Sequence, residues 1–310
     1  MSDSRRKSEI HLASPVYPEK VKELEDPPEV LYVRGDPAAL STPCLSIIGA
    51  RKATPYGLAV AEMAATVAAE SGITVVSGGA RGCDQAAGRA ALVAGGRHIM
   101  VLGSGADVVY PASARGLIDD TLEGGGAVVS LEPWGMQPLR YTFPKRNRVI
   151  AALSDALFVT EAGMPSGTFS TAETAMELGR EVLAAPGSIL SPTSRGANYL
   201  ITVGACCIVD EESIEMAISR IYGRLRYSRP EVPGLTGLGG CDREVLEALV
   251  ASPMTAEELT AAFGMGAVEC MQLVSGLELE GLVERLADGR ISPTKKALHA
   301  LVPLGQNTEV

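Results

Sequence analysis

The amino-acid sequence predicts an α/β protein in which a doubly wound, mostly parallel sheet is followed by a small helical domain. Short runs rich in Val, Ile, Leu and Ala recur between residues 44 and 222. They are apolar on both faces, as the strands of a buried parallel sheet are. Segments with helical spacing separate these runs, and such alternation is typical of parallel βα units. The composition then shifts to proline and glycine between Pro230 and Gly240, which indicates a linker before a separate C-terminal domain.

The elements of the larger domain follow one another in regular order after an extended segment at Val30–Val33. The strands are predicted at Leu45–Ile48, Ile73–Ser77, His98–Leu102, Ala127–Leu131, Ala156–Thr160, Glu181–Ala185 and Cys206–Val209. The helices are predicted at Tyr56–Glu70, Asp84–Val93, Lys145–Leu153 and Thr171–Leu178. We expect residues 1–15 to form a disordered lead and residues 16–225 to form this domain.

The C-terminal domain is predicted from three helical patterns and a hairpin. The helices are expected at Asp242–Val250, Thr255–Phe263 and Ala267–Gly281. Thr255 suits the N-cap of its helix, with Glu258 at the capping-box position, and Asp288-Gly289 marks a hairpin turn. Three helices and a hairpin are the outline of a winged helix. We place the linker at 226–240, the winged helix at 241–302 and a tail at 303–310.

The charge balance excludes one class of protein and leaves another open. The chain carries 27 Lys and Arg against 37 Asp and Glu, a net charge of −10. It therefore does not coat nucleic acid by net charge alone, although a local basic groove on an acidic body stays possible. Residues 241–300 carry five Lys and Arg against ten Asp and Glu. A winged helix that reads duplex DNA needs a basic face, so we expect a protein-contact or regulatory role for this domain.

The cysteines and histidines predict no metal site. None of the six cysteines falls in a C-x-x-C pair, and only three histidines are present. We expect reduced thiols in a cytoplasmic protein with no cofactor and no metal. The N-terminus has no apolar signal region, and no apolar run is long enough to span a membrane.

Three glycine-rich turns follow predicted strands and suit an anion. They hold Gly49, Ala50, Arg51 and Lys52 in the first turn, Ser77 and Gly78 in the second, and Ser166 and Gly167 in the third. The carboxyl ends of parallel strands share one edge of a sheet, so these turns are expected there together. Glycines let the backbone approach a phosphate, and helix N-termini present free N–H groups to it. The alternative is that they are ordinary tight βα turns.

The usual nucleotide motifs are absent. The sequence has no Gly-x-x-x-x-Gly-Lys-Ser/Thr. Gly103-Ser104-Gly105 follows a strand, but the third glycine of G-x-G-x-x-G would fall on Val108. The pattern therefore counts against ordinary dinucleotide binding.

The stretch Trp134–Arg148 combines aromatic rings with cations. It holds three of the chain's thirteen aromatic residues, and among its cations and neighbours are Arg140, Phe143, Lys145, Arg146 and Asn147. Single-stranded nucleic acid needs this combination, because cations bind phosphates and rings stack on bases. Cations in the first turn of the helix after Pro144 also oppose the helix dipole, which an anion would relieve. The alternative is that Glu132 and Glu161 neutralise two of the cations and that Phe143 is a core residue.

Three acidic residues near the predicted strand ends raise the question of catalysis. Asp84, Glu132 and Glu161 have no histidine, nucleophile elbow or metal pair beside them in the pattern. We interpret them as residues that orient arginine side chains and backbone rather than as catalytic acids or bases.

These motifs together resemble the DNA-processing protein family DprA, also called Smf. The resemblance runs over nearly all of residues 16–300. Its motifs are Tyr17-Pro18, Asp26-Pro27-Pro28, Gly35-Asp36, Ile47–Arg51, Tyr56-Gly57, Ser77–Ala80, Gly82-Cys83-Asp84, Phe143–Ala151, Ser166-Gly167-Thr168, Thr171-Ala172, Pro186-Gly187 and Gly204-Ala205. The Phe-Pro-x-Arg-Asn-Arg block is the most diagnostic of them.

The resemblance implies a function and a set of site residues. It implies an extended Rossmann-like domain that binds single-stranded DNA, usually as a homodimer, with a winged helix of variable role. Similar proteins are not enzymes; they load the RecA recombinase onto incoming single strands during natural transformation and protect those strands. The DNA pocket would be lined by Gly49, Ala50, Arg51, Arg140, Phe143, Lys145, Arg146 and Asn147.

The sequence departs from the family pattern at defined positions. The usual histidine of Gly-Ile-Asp-x-x-Ala-His is Gly88 here, so the local loop can differ. The small helical domain that begins many relatives is expected to be absent or cut away, because fifteen residues cannot hold it.

Two other functions stay open at this point. A relative of the LOG-like nucleotide hydrolases would carry Pro-Gly-Gly-x-Gly-Thr-x-x-Glu, but Thr171 stands where the glutamate belongs. An interaction scaffold or small-nucleotide sensor would hold a mononucleotide in the same pocket and bind no strand.

Overall fold

The computed structural model describes residues 7–224, 240–294 and 297. Within residues 7–224, nine strands form one sheet in the order β1-β2-β6-β5-β4-β3-β7-β8-β9. The strands are β1 (Lys7–His11), β2 (Val30–Gly35), β3 (Cys44–Ile48), β4 (Thr74–Ser77), β5 (His98–Leu102), β6 (Ala127–Ser130), β7 (Ala156–Val159), β8 (Glu181–Ala184) and β9 (Cys206–Cys207). Strand β2 is antiparallel to both its neighbours, and all the pairings from β6 to β9 are parallel. The predicted doubly wound, mostly parallel sheet is confirmed.

Helices cover both faces of this sheet. They are α1 (Glu19–Lys22), α2 (Pro55–Glu70), α3 (Cys83–Val93), α4 (Arg115–Glu123), α5 (Thr142–Leu153), α6 (Thr168–Glu177), α7 (Arg195–Thr202) and α8 (Glu211–Tyr222). One apolar layer is formed with α2, α3, α4 and α8, and the opposite layer with α1, α5, α6 and α7. Burial of both sheet faces explains why the strands read as continuous apolar runs rather than as alternating patterns.

The strand order reverses between β3 and β7. From β3 the chain adds β4, β5 and β6 on one side, and β7, β8 and β9 on the other. A crevice opens at such a switch point, outside the carboxyl ends of the strands, and ligands of doubly wound sheets bind there. The turns after β3, β4, β5 and β7 therefore surround the region where a ligand is expected.

The disordered lead predicted for residues 1–15 is wrong for the part that the structure describes. Residues Lys7–His11 form β1, which pairs with β2 in register from Lys7 opposite Arg34 to His11 opposite Val30. The segment is polar in sequence, but strand pairing satisfies its backbone and Ile10 is fully buried. The first six residues lie outside the described part.

Helix α5 begins earlier than the sequence indicated. It starts at Thr142 rather than after Pro144, and the Thr142 hydroxyl donates to the carbonyl oxygens of Gly103 and Leu139. A proline is tolerated in a first turn because its missing N–H has no partner there in any helix. Lys145 ends this first turn and Arg146 lies one residue beyond it.

The C-terminal domain has the predicted elements. Residues 240–294 form α9 (Gly240–Ala251), α10 (Ala256–Phe263), α11 (Ala267–Leu279) and a hairpin of β10 (Val283–Arg285) and β11 (Ile291–Pro293). Thr255 and Glu258 form the expected capping box, and Gly289 takes a positive φ of 84° in the hairpin turn. Apart from Gly240, which begins α9, the predicted linker at 226–240 lies outside the described residues, as does the predicted tail at 303–310.

Candidate nucleic-acid interface

A cleft of about 460 Å³ lies at the carboxyl ends of β3, β4 and β5, against the start of α5. Its walls are formed by Arg51, Lys52, Gly78, Ala80, Arg81, Gly103, Tyr110, Pro111, Ala112, Phe143 and Arg146. The first two predicted glycine-rich turns and the start of the Phe-Pro-x-Arg-Asn-Arg helix therefore meet at one place. They do so because parallel strands end at the same edge of the sheet.

The turn after β4 is held by two buried charges. Asp84, near the N-terminus of α3, accepts hydrogen bonds from the N–H groups of Gly78 at 3.1 Å and Ala80 at 3.3 Å. Arg146 donates to the carbonyl oxygens of Gly78 and Val101. A Cβ on residue 78 would lie only 2.6 Å from the Arg146 Nη1 atom, so this position requires glycine. Asp84 thus orients the backbone of this turn, which is one part of the role that the sequence predicted for it.

Burial changes the proton affinity of both charges. It raises the pKa of Asp84, although the Arg146 guanidinium and the N–H groups of Gly78, Ala80 and Gly49 oppose this shift. Burial lowers the pKa of Arg146 to about 10, and Asp84 opposes that change. Arg146 stays charged at neutral pH. The pair is therefore a structural support of the cleft floor.

The structure corrects the expectation that Arg146 presents its charge to a phosphate. The side chain is buried, and Asn147 accepts a hydrogen bond from its Nε at 3.0 Å. Internal pairing was the alternative considered for these cations, with Glu132 and Glu161 as partners. The acidic group that faces Arg146 is Asp84 instead. Asn147 likewise belongs to the support of the cleft rather than to its open surface.

Phe143 lies at the centre of the cleft wall. Its ring centroid is 5.6 Å from the guanidinium carbon of Arg51, 5.8 Å from that of Arg146 and 5.9 Å from the ring of Tyr110. The Phe143 side chain is half-buried, whereas Tyr110 is 46% exposed. Cations near an aromatic face are attracted to the ring quadrupole, so this arrangement places rings and positive charge at one open surface.

The exposed cations of the cleft are Arg51, Lys52 and Arg81. Arg140 and Lys145 are exposed but do not line it, and the Lys145 Nζ lies 5.6 Å from the Tyr141 ring centroid. These two predicted site residues flank the cleft from the start of α5. They can reach only a ligand that extends beyond its walls.

Two other predicted residues, Gly49 and Ala50, lie behind the cleft. The N–H of Gly49 points to the Asp84 carboxylate, and the carbonyl oxygen of Ala50 accepts from the Cys83 N–H at 3.3 Å. They join the turn after β3 to the first turn of α3. Ser77, the last residue of β4, is also fully buried. These residues shape the cleft without lining it.

The third glycine-rich turn does not reach the cleft. Ser166 and Gly167 precede α6, at the end of β7 on the other half of the sheet edge. The Ser166 hydroxyl accepts from the Thr168 N–H at 3.2 Å and lies 3.0 Å from the Thr168 hydroxyl. The structure therefore brings together two of the three predicted turns.

Trp134 is separated from the other aromatic residues of its stretch. Its ring packs edge-on against Tyr32 with centroids 5.4 Å apart, and its Nε1 donates to Glu9 at 2.8 Å. Lys7 lies 4.7 Å from the ring centroid and pairs with Asp107 at 2.6 Å. Trp134 thus contacts strands β1 and β2 and does not line the cleft.

The switch-point crevice between β3 and β7 already contains an anionic side chain. Glu161, which is buried, accepts hydrogen bonds from the Thr54 N–H at 2.9 Å and the Thr54 hydroxyl at 2.8 Å. Thr54 is the N-cap of α2. A nucleotide phosphate commonly binds at this position in doubly wound sheets. Here the chain's own carboxylate occupies it.

Arg81 belongs to the second glycine-rich turn, where an arginine favours the predicted anion site. The aromatic residue that the sequence did not predict for the cleft is Tyr110. Tyr110 follows a long turn after β5, where no periodicity places a side chain. Within the described residues, no group of three or more His, Cys, Asp or Glu side chains could hold a metal ion. No described helix is both long and apolar enough to cross a membrane.

Comparison with known proteins identifies the family. A family model described as DNA recombination-mediator protein A matches residues 9–219, and one described as DprA winged helix domain matches residues 229–289. Protein Smf of Escherichia coli is 40% identical over 201 residues, which cover 65% of this chain and 54% of that protein.

Two solved structures resemble this one. DNA processing protein A from Streptococcus pneumoniae has a TM-score of 0.64 at 37% identity, covering 68% of this chain and 74% of that one. The Helicobacter pylori protein, solved to describe its single-stranded DNA binding mode, has a TM-score of 0.64 at 29% identity, covering 72% and 100%. The sequence match to E. coli Smf, by comparison, spans about half the length of that protein. Since a family model matches most of its length, this chain belongs to the DNA recombination-mediator protein A family.

Proposed function

We propose that this protein is a recombination mediator that binds single-stranded DNA in the cleft at the ends of β3, β4 and β5. One observation carries the proposal. The cleft places three exposed cations, Arg51, Lys52 and Arg81, beside the rings of Phe143 and Tyr110. Cations bind the phosphates of a strand and rings stack on its bases.

The chemistry of the cleft favours a single strand over a duplex. In a duplex the base faces are stacked on one another, so that rings in a protein cleft cannot reach them. In a single strand they are available, and each base stacked on a ring contributes about 1–3 kcal/mol. The positive charge is local, on a chain with a net charge of −10. Cleft chemistry rather than bulk charge is therefore the basis of recognition.

The family supports the wider role. Its description names a recombination mediator, and the Helicobacter pylori relative was solved for its single-stranded DNA binding mode. We propose that this chain, in the cytoplasm, protects incoming single strands and loads RecA onto them during natural transformation. We also propose a homodimer through the Rossmann-like domain. RecA loading, transformation and the dimer rest on the resemblance of the sequence to DprA and Smf.

Among the described residues, those that line the cleft include no acidic side chain, histidine or cysteine. Asp84 and Arg146 hold the backbone through hydrogen bonds, and the Arg146 Nε also donates to the Asn147 side chain. Thr171, at the position of the LOG-like glutamate, is buried and carries no carboxylate. These features support a binding protein over a nucleotide hydrolase.

The test is fluorescence anisotropy of labelled oligo-dT, single-stranded and duplexed, across a salt series. We expect tight single-strand binding that weakens with salt, and weak duplex binding. Arg51→Ala should lower affinity and flatten the slope of log K against log salt by about 0.7, the value for one phosphate of a single strand. Phe143→Ala should lower affinity by about 1–3 kcal/mol with little change in slope.

Arg97→Ala is the matched control, because Arg97 is exposed at the opposite edge of the sheet, just before β5. Equal slopes for Arg51→Ala and Phe143→Ala would contradict the roles assigned to them. Binding of AMP without oligonucleotide binding would favour a small-nucleotide sensor. Release of ribose phosphate from a nucleoside monophosphate would establish the hydrolase.

A further inference from the structure

A buried chain of hydrogen bonds lies directly behind the cleft. His98, the first residue of β5, has its Nε2 2.8 Å from the Ser77 hydroxyl of β4 and its Nδ1 2.7 Å from the Thr121 hydroxyl of α4. All three side chains are fully buried. Burial lowers the pKa of His98 to about 3, so the ring is neutral. A neutral imidazole supplies one donor and one acceptor, and hydroxyl groups can complement both.

The imidazole fits against a glycine of α3. A Cβ on Gly88 would lie 2.8 Å from Cε1 and 2.9 Å from Nε2 of His98. Any larger residue at position 88 therefore displaces the ring from its hydrogen bonds. Gly88 is also the position where the resembling family pattern carries its histidine.

The hydrogen-bond chain ends at the cleft wall. Ser77 is followed by Gly78, whose N–H donates to Asp84 and whose carbonyl oxygen accepts from Arg146. Gly78, Ala80 and Arg81 line the cleft. The hydroxyl of Ser77 is thus the last anchor on β4 before the backbone enters the turn that faces the ligand.

We propose that His98 is a positioning residue for the single-stranded DNA cleft, and that Gly88 and His98 act as a matched pair. Through Ser77, His98 fixes the direction in which β4 enters the Gly78–Arg81 turn. It does not touch the strand. The proposal rests on the proposed function where it is tested by DNA binding. A second test, amide hydrogen exchange, measures the backbone itself and needs no DNA.

The test compares two hydroxyl deletions in the same strand. Ser77→Ala removes the bond to His98 at the cleft end of β4. Thr74→Val removes the bond between the Thr74 and Thr42 hydroxyls, 2.7 Å apart, at the other end of β4. We expect Ser77→Ala to weaken oligo-dT binding by about three- to tenfold, the effect of one buried hydrogen bond, with an unchanged salt slope. Thr74→Val should lower Tm and leave the affinity unchanged.

Hydrogen exchange provides the readout that is independent of DNA. The N–H groups of Gly78 and Ala80 should exchange faster in Ser77→Ala than in the wild type or in Thr74→Val. Equal exchange in both variants would overturn the positioning role. If the wild type binds no oligonucleotide but exchange at Gly78 and Ala80 still depends on Ser77, the proposed function fails and the positioning stands. If both variants lose affinity equally, the effect is general destabilisation and the proposal fails.

The matched pair is tested by a double-mutant cycle. Gly88→Ala alone should lower Tm and accelerate exchange at Gly78, because the new methyl group displaces the imidazole. In the His98→Ala background the contacts at 2.8 and 2.9 Å are gone and the tight contact left is with Leu117 Cδ2 at 3.1 Å, so Gly88→Ala should have a smaller further effect. Contacting residues show such non-additivity, whereas independent residues do not. Additive effects on Tm and exchange would overturn the pairing.

Discussion

Within residues 7–224, two places at the carboxyl edge of the sheet suit an anion, and they differ in what occupies them. At the β3–β7 switch point, the N-terminus of α2 is satisfied by Glu161. In the neighbouring cleft at β3, β4 and β5, the walls carry Arg51, Lys52 and Arg81, and no carboxylate lines them. Both places follow from glycine-rich turns after parallel strands. The side chains around the turns, and not the turns themselves, decide which place offers positive charge to a ligand.

The difference between these two places fits the absence of the Gly-x-x-x-x-Gly-Lys-Ser/Thr and G-x-G-x-x-G motifs from the sequence. A dinucleotide site in this fold uses the first βα turn and the helix after it. Here the Glu161 carboxylate accepts the hydrogen bonds of the Thr54 N–H and hydroxyl at that position. The cleft proposed to bind DNA lies one strand further along the edge, where Phe143 and Tyr110 add flat apolar rings. Cations combined with rings favour a strand of nucleotides over a lone phosphate.

The largest effect should come from the support of the cleft. Arg146→Met removes the buried cation nearest the Asp84 carboxylate and leaves the carbonyl oxygens of Gly78 and Val101 without their donor. We expect the free energy of unfolding to fall by about 3–5 kcal/mol, measured by urea denaturation. Lys145→Ala is the control, because Lys145 is exposed and its loss should change stability by less than about 0.5 kcal/mol. An Arg146→Met protein of wild-type stability whose salt slope falls by one phosphate would restore Arg146 as a phosphate ligand.

The second effect concerns Glu161, which accepts the Thr54 hydrogen bonds at the β3–β7 switch point. Glu161→Ala leaves the Thr54 N–H without its acceptor, which should cost about 1–3 kcal/mol in stability. Inorganic phosphate should then raise the Tm of the variant more than that of the wild type, because a bound anion replaces the carboxylate. Glu132→Ala, at a half-buried residue just after β6, should show no added phosphate effect. Equal phosphate effects on the wild type and Glu161→Ala would mean that Glu161 does not fill an anion position.

Lowering the pH should reduce the stability of the fold through His98, which lies behind the cleft. The folded pKa is about 3 and the unfolded value is near 6.5. Between these values the unfolded chain holds a proton that the folded chain does not, so stability falls as pH falls, by at most about 1.4 kcal/mol per pH unit. The raised pKa of Asp84 acts in the opposite direction. The difference between wild type and His98→Gln cancels the Asp84 contribution, and that difference should shrink from pH 7 towards pH 4. A difference independent of pH would contradict a neutral, buried His98.

The sequence predicted the sheet well and the site in part, for a physical reason. Strands that are buried on both faces form apolar runs, which can be recognised in the sequence. The turns that contain Arg51 and Gly78 lie close together because parallel strands end at the same edge of the sheet. The burial of Arg146 could not be read from its neighbours along the chain, because its contacts are Gly78 and Val101, far away in sequence. Trp134 was grouped with Phe143 because the two are close in sequence, yet its partners Glu9 and Tyr32 belong to other strands. Strand β1 was missed because an edge strand of polar residues gives no apolar pattern.

The smallest effect should distinguish the two rings of the cleft. Tyr110 is more exposed than Phe143, and its ring centroid lies 5.9 Å from that of Phe143. Tyr110→Ala should therefore weaken single-strand binding by about 1 kcal/mol, the lower end for a stacked base, without changing the salt slope. Tyr110→Phe keeps the ring and should bind as the wild type does. If Tyr110→Phe loses as much as Tyr110→Ala, the hydroxyl group rather than the ring makes the contact, and the cleft then offers a strand one stacking surface, at Phe143, with polar recognition beside it.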